Sequence, residues 1–267
     1  MICDFHLHSN FSGDSHEDPE KIIKTCIEQG MSDMCFTDHQ DFDFKYEKDL
    51  FTLDYNKYFE ELRTLKDKYK DKINVHIGVE LGIEERTAKD CIAFAEKMPY
   101  EFIIASTHLV DGIDPYYPEY FGEYSEDEGF KRYFEFLNKG IDHFDNFDVY
   151  GHLDYVIRYA PNKDKFYNYC NYIDIIDEIL KKLINKGKGI EVNTAGLYKG
   201  LKQTNPSKQI LKRYKELGGE IITVGSDAHV YTNLGYAFDT IPDLLKESGF
   251  DYYCIFENRK PKFLKLD

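Results

Sequence analysis

The chain has no excess of basic residues. Across 267 positions, 34 lysines and arginines face 49 aspartates and glutamates, a formal net charge of −15 at pH 7. Binding to long nucleic acids normally shows as a basic stripe, so no nucleic-acid partner is expected. A local basic pocket for a small anionic substrate remains open, because charge near a site matters more than the total. Long hydrophobic runs are missing too. No stretch approaches the roughly 18 apolar residues of a membrane span. No basic segment followed by an apolar one precedes the first strand-like run. A soluble, cytoplasmic protein without a membrane partner is the expectation. The six cysteines, Cys3, Cys26, Cys35, Cys91, Cys170 and Cys254, form no CxxC pair, and several sit inside apolar runs. They read as buried, reduced thiols. Low-complexity tracts, short-period repeats and Pro/Gly/Ser linkers are also absent, so residues 1–267 read as one domain. Nothing in the sequence specifies an oligomeric state.

What is present is an alternation. Hydrophobic residues make up 42% of the chain, enough for a substantial core. Short apolar runs suited to buried strands are each followed by an amphipathic stretch of helical length. The first run, ICDFHLH, precedes DPEKIIKTCIEQG, with Asp18 as N-cap, Pro19 as first helical residue and Gly30 as terminator. DMCFTDH, INVHIGVELG, EFIIASTH, FDVYGHLD, GKGIEVNT and EIITVGSDAH follow, each with a helical partner. The tail, YYCIFENRKPKFL, is a candidate for an added edge strand. Seven strand–helix units point to an α/β fold with a parallel sheet closed as a barrel. An open doubly wound sheet is the alternative, weakened a little by the lack of a GxGxxG turn after the first run.

Ionisable residues gather at the ends of the runs. The first ends in His6 and His8, with Asp14 in the next loop; the second ends in His39, the third in Glu80 and the fourth in His108. The fifth ends in His152, the sixth in Asn193 and the seventh in Asp227 and His229. In a parallel barrel these ends share one rim, the face on which active sites are built. A lone histidine at a strand end is ordinarily a hydrogen-bonded or surface residue, and His16, His76 and His143 are read that way. His76 shares the strand parity of Glu80 and is a candidate to line the interior. For the other six histidines the bland reading requires the same coincidence on strand after strand. Nitrogen and oxygen ligands without thiolate suit Zn²⁺, Mn²⁺ or Fe²⁺ and disfavour a cysteine-type zinc site. Nine candidate side chains exceed one coordination shell, so two or three divalent ions are expected, with Glu80 able to bridge two of them.

In this order HLH, GD, TDH, GVE, STH, GHLD and GSDAH resemble the motifs of the polymerase-and-histidinol-phosphatase (PHP) superfamily, and they extend from His6 to His229. The resemblance implies a distorted (β/α)7 barrel with a trinuclear metal centre at the C-terminal rim of its strands. It implies His6, His8, Glu80 and Asp227 as ligands of one metal, and Glu80, His108 and His152 as ligands of a second, with Glu80 bridging. Asp14, His39 and His229 would serve a third. Some relatives carry histidine where this chain has Asp14, so the third site gains negative charge here.

HLVDGIDPYYPEYF, GHLDYVIRYAP and EVNTAGLYKGL are similar to the stand-alone histidinol-phosphate phosphatases of histidine biosynthesis. That likeness implies a small phosphorylated substrate, L-histidinol phosphate, hydrolysed as a phosphomonoester. Arg158 follows the fifth strand end by six residues and is the candidate catalytic and substrate-binding cation, a planar two-point donor to phosphate. Many such enzymes have an arginine after the sixth strand; the nearest cation here is Lys199, a point charge or simply a solvated surface lysine. Tyr116, Tyr117 and Tyr120 are candidates to line the pocket or else to pack the surface. Two rivals stand beside this reading: another PHP-type phosphoesterase acting on a small nucleotide or similar ester, and a metal-binding module without turnover.

Overall fold

A computed structural model describes residues 3–122 and 125–266. Eight strands, β1 (Asp4–Leu7), β2 (Asp33–Phe36), β3 (His39–Gln40), β4 (Asn74–Gly82), β5 (Phe102–Ser106), β6 (Val149–Tyr150), β7 (Gly189–Asn193) and β8 (Ile222–Gly225), pair in parallel. They occupy seven positions, because β2 and β3 both run along β4. Cys35 pairs with His76 and His39 with Glu80. The interruption falls at Thr37 and Asp38, where the buried Asp38 carboxylate accepts the backbone N–H and hydroxyl of both Ser9 and Ser12. The barrel closes beyond β8: Asp227 N–H donates to the His6 carbonyl at 2.8 Å, and His8 N–H to the Ala228 carbonyl at 3.1 Å. The expected seven-unit barrel is therefore present, distorted at its second strand.

Helices α1 (Pro19–Glu28), α2 (Tyr55–Tyr69), α3 (Ala88–Ala95), α4 (Glu119–Gly122), α5 (Glu126–His143), α6 (Ile173–Asn185), α7 (Ala195–Tyr198), α8 (Lys208–Glu216) and α9 (Ile241–Glu247) occupy the connections. Their ends follow local chemistry. The Asp18 side chain accepts from Lys21 N–H at 3.0 Å with Pro19 next to it, and Gly30 takes φ 77° after the last turn of α1. Ser125 and Glu128 form a reciprocal capping box on α5. On α6, Ile176, Ile179, Leu180 and Leu183 are buried at the spacing of one helix face. The strands are buried on both sides, which is why they read as continuous apolar runs. None of the described helices is long and apolar enough to cross a membrane.

Two expectations change. The run YCNYIDIIDEILKKLINKG reads as a helix from Tyr169, but between β6 and α6 the chain makes three 3-10 turns, at Tyr155–Tyr159, Lys163–Lys165 and Tyr169–Tyr172, so the helix itself starts at Ile173. The tail does not join the barrel as an edge strand. It forms its own antiparallel hairpin of β9 (Tyr252–Glu257) and β10 (Lys260–Lys265). Asn258 and Arg259 both have positive φ, 49° and 64°, as a two-residue turn with the twist of a hairpin requires. Tyr253, Cys254, Ile255 and Phe256 are buried under the N-terminal ends of the barrel strands, with Phe256 5.0 Å from the Phe102 ring. Arg259 locks the turn: its Nε donates to Asp148 Oδ2 at 2.5 Å and its Nη1 to Asn146 Oδ1 at 3.2 Å.

Asp148 is buried, and its Oδ2 also accepts the Ile103 N–H, so losing the guanidinium would leave an enclosed charge half-satisfied. Arg259→Ala is expected to cost about 1–3 kcal/mol of stability. It should be read as a lower urea midpoint; an unchanged midpoint would show that the hairpin is not locked there.

Candidate metal centre

Four of the six rim histidines turn one ring nitrogen to a common centre because something else holds the other. His6 Nδ1 lies 2.6 Å from Glu191 Oε1, His8 Nδ1 3.0 Å from Ser12 Oγ and His108 Nδ1 2.8 Å from Asp41 Oδ1. His229 Nδ1 is 3.0 Å from the Asp227 carbonyl. A carboxylate or carbonyl on one ring nitrogen fixes orientation and tautomer and leaves the other nitrogen as a ligand.

Glu80, fully enclosed at the end of β4, divides the centre in two. Its Oε2 lies 3.1 Å from His6 Nε2 and 3.5 Å from His8 Nε2, and the same two nitrogens are 3.7 and 3.4 Å from Asp227 Oδ1. Its Oε1 lies 3.2 Å from His108 Nε2 and 2.9 Å from His152 Nε2, and accepts the Ser106 hydroxyl at 2.6 Å. A third group sits further out: His229 Nε2 is 3.1 Å from Asp14 Oδ2 and 3.3 Å from His39 Nε2. All nine residues singled out in the sequence thus lie around one centre, where their donor atoms can also be grouped otherwise than expected, as His8 with His39 and His229 or His6 with His152 and Asp227. His39 reaches two of these sets, since its Nδ1 is 3.0 Å from Glu80 Oε2.

Whether these donors fit divalent cations can be read from their unmet valence. His6 Nε2, His8 Nε2, His39 Nδ1 and Glu80 Oε2 are buried and have no hydrogen-bond partner among the described residues. Buried polar atoms of native proteins are rarely left so, and here they point at one another. Electrostatics agree. Although burial opposes it, His6, His108 and His39 hold the Glu80 carboxyl well below the usual range. Burial likewise opposes charge on His39, yet Glu80 and Asp14 draw its pKa up to about 9. Burial, with His229 and His39 beside it, pushes His8 well below its ordinary value. Carboxylates that draw protons onto neighbouring rings hold divalent cations in their place, with the protons displaced. The donor set fits nitrogen- and oxygen-preferring metals.

Glycine makes two of these approaches feasible. A Cβ on Gly225 would lie 2.3 Å from His6 Cβ and from Glu191 Oε1, and one on Gly82 would lie 1.9 Å from Asp41 Oδ1. Asp227, two residues beyond Gly225, adopts a left-handed φ of 54°, which aims its carboxylate back over the rim.

A cavity of about 360 Å³ opens above the cluster, lined among others by Arg158, Lys199, Tyr116 and Tyr117. Arg158, 2% exposed in the 3-10 turn after β6, is not a free fork. Its Nε donates to Asn205 Oδ1 at 2.8 Å, Nη1 to Asp227 Oδ2 at 2.7 Å and Nη2 to Asn193 Oδ1 at 2.7 Å. Lys199 is exposed and its ammonium makes no hydrogen bond or ion pair among the described residues; partial desolvation lowers its amine pKa. Tyr120 is buried and donates to the Gly129 carbonyl, so it packs the fold and does not line the cavity. The three bystander histidines stay apart: His16 is exposed, His143 ends α5, and His76 pairs with Asp33 at 3.2 Å. Sequence reading missed the supports Asp38, Asp41, Glu191, Asn205 and Asp154. Only Glu191 has a signal, since it shares the strand parity of Asn193.

The PHP domain model matches residues 4–195. A histidinol-phosphatase of Lactococcus lactis is 34% identical over 258 residues, 96% of this chain and 95% of its own. A probable histidinol-phosphatase of Thermotoga maritima is 30% identical, over 99% of this chain and all of its own. The crystal structure of the L. lactis histidinol phosphate phosphatase, complexed with zinc, L-histidinol and phosphate, aligns with a TM-score of 0.90 at 33% identity over 98% of each chain. A parallel barrel that gathers histidines and carboxylates at one rim, under that match, is a PHP domain. Within that class the chain belongs to the stand-alone histidinol-phosphatase family.

Glu80→Ala is expected to remove more than one metal equivalent by elemental analysis; loss of none would contradict a shared carboxylate. Glu191→Ala, which removes the carboxylate behind His6 and with it the acceptor of the His152 N–H and the Asn193 amide, should weaken metal affinity roughly 10–100-fold. Unaltered retention during chelator dialysis would show that His6 does not depend on it.

Proposed function

We propose that this chain hydrolyses L-histidinol phosphate to L-histidinol and inorganic phosphate in histidine biosynthesis, using two or three divalent ions held by the nine rim residues. The observation that carries the reading is the divided Glu80 carboxylate, directly below a cavity that also presents Arg158. Bound ions would make water nucleophilic near neutral pH and offset charge on the phosphoryl oxygens. His6, His8, Glu80 and Asp227 would hold one ion, Glu80, His108 and His152 a second, and Asp14, His39 and His229 a third. The like zinc-bound relative makes zinc one candidate, beside manganese and iron.

The chain's own groups then position the ester. A guanidinium has five N–H donors, and three of those of Arg158 are used by Asn205, Asp227 and Asn193. One N–H on each terminal nitrogen is left for phosphate oxygens. Its contact with Asp227 gives it a second task, holding that carboxylate in register with His6 and His8. Lys199, unpaired at the same cavity, adds a point charge that follows the phosphate without fixing its orientation.

Phosphate release from L-histidinol phosphate beside a panel of nucleotides tests the function. The expected outcome is a kcat/KM at least roughly 100-fold higher for L-histidinol phosphate. A preference for a nucleotide would favour the other phosphoesterase reading, and no turnover of any ester by metal-replete protein would sink the enzyme reading. Arg158→Ala is expected to lower kcat/KM by roughly 100–1,000-fold. A rate near wild type would remove Arg158 from the site, and parallel metal analysis separates its phosphate contact from its hold on Asp227.

A further inference from the structure

The cavity over the cluster has two chemically different ends. Arg158 and Lys199 stand in the field of Asp227, and Lys199 also in that of Asp14. Asp114 lines the same cavity, but the charges acting on it are His108, Asp41 and His39, and it acts in turn on Tyr155 and Tyr159. It therefore lies toward the β3 and β5 ends of the rim, and the Tyr155 ring beside it carries the Arg158 guanidinium on its face at 5.4 Å. Asp114 is only 8% exposed. Its Oδ1 accepts the Tyr116 N–H at 2.8 Å, and its carbonyl accepts the Tyr117 N–H at 3.0 Å. No hydrogen bond reaches the second carboxylate oxygen among the described residues, and no lysine or arginine pairs with it.

A turn of this kind needs one side-chain oxygen, which asparagine would supply equally well. The second carboxylate oxygen is not sealed in the protein but opens onto the cavity, which leaves an anionic acceptor there that the turn does not use. The surroundings indicate its partner. Phe44, Tyr116, Tyr117 and Tyr159 face the same cavity, with Tyr117 stacked on Tyr46 at 3.5 Å and Tyr116 edge-on to Tyr159 at 5.5 Å. Flat aromatic walls suit a flat, largely neutral imidazole. An ammonium, charged throughout the neutral range and carrying three donors, needs an anionic acceptor.

We infer that Asp114 binds the α-ammonium group of the substrate while the aromatic residues flank its imidazole, so that the pocket selects phosphate esters carrying an amine. The inference rests on the histidinol phosphate reading and adds the residue that enforces it. Arg158 and Lys199 read the anion at one end and Asp114 reads the cation at the other.

The test compares L-histidinol phosphate with 3-(imidazol-4-yl)propyl phosphate, the same ester without the amine. Wild-type enzyme is expected to favour the amine-bearing ester in kcat/KM by roughly 10–100-fold, the range of a hydrogen bond to a charged group. In Asp114→Asn, where the amide oxygen keeps the Tyr116 contact, that ratio should collapse toward one, mostly through KM, with metal content unchanged. Equal rates on both esters in the wild type, or an undiminished ratio in the variant, would overturn the assignment. A variant that slows both esters equally through kcat would instead make Asp114 a proton donor or a structural residue, which also overturns it. Should the variant not fold, the wild-type comparison decides alone. Wild-type turnover of L-histidinol phosphate without the selectivity refutes Asp114 only; absence of that turnover refutes the functional reading as well.

Discussion

One buried carboxylate organises the rim of this barrel. Five histidine rings approach the two oxygens of Glu80 at 2.9–3.5 Å, carried by segments of strands or strand ends that come from four places in the chain. A carboxylate taken wholly out of water costs several kcal/mol unless positive charge meets it. Imidazoles meet it either by binding protons or by sharing a metal cation with it. The barrel must therefore close for the acid to be tolerated. His6 and Asp227 sit on the two edges that closure brings together, joined by the Asp227 N–H to the His6 carbonyl. Fold and site are here one constraint: the strand pairing that completes the barrel also brings Asp227 to His6 and His8.

The repeated run-and-helix pattern is legible in the sequence because strands buried on both faces must be apolar throughout, and helices on the outside must not be. The candidate ligands are legible for a related reason. A polar residue ending an apolar run stands out, and His6 and His8 keep strand parity. Their supports carry no such contrast. Asp41 lies in DFDF, where an acid looks like an ordinary solvated loop residue; only Gly82, 41 positions away, leaves room for it beside His108. Asp38 looks like a third polar residue of TDH, and its role emerges only when the loop holding Ser9 and Ser12 folds over it. The tail hairpin was hidden by its own turn. Asn258 tolerates a left-handed backbone but Arg259 ordinarily does not, and its guanidinium, held by Asp148, makes that conformation worthwhile.

Arg158 shows how much one side chain can be asked to couple. Asp227 uses Oδ1 toward His6, His8 and His229 and Oδ2 toward Arg158, so it cannot rotate without losing one partner set. Arg158 is in turn held through Asn205, whose Nδ2 donates to the buried Asp154 Oδ1 at 2.6 Å. Asp154 also accepts the Ser207 N–H, and burial pushes its carboxyl up to about 6. The chain of contacts runs from Asp154 through Asn205 and Arg158 to Asp227, from the loop after β6 to the rim of β8. Each link is buried, so each loses more by being left unpaired than it gains by being made.

That asymmetry explains why the two cations of the cavity are different residues. The inner position must satisfy three side-chain oxygens at once, which a planar guanidinium does with one N–H on each nitrogen. A lysine there would leave at least Asn193 or Asn205 unmatched, with Asp227 free to turn. Lys199, whose ammonium holds nothing among the described residues, can be exchanged for another cation without disturbing the rim histidines and carboxylates. Arginine at 158 is therefore dictated by the protein's own geometry: one N–H on each of its three nitrogens is held by Asn205, Asp227 and Asn193 whatever else the side chain meets.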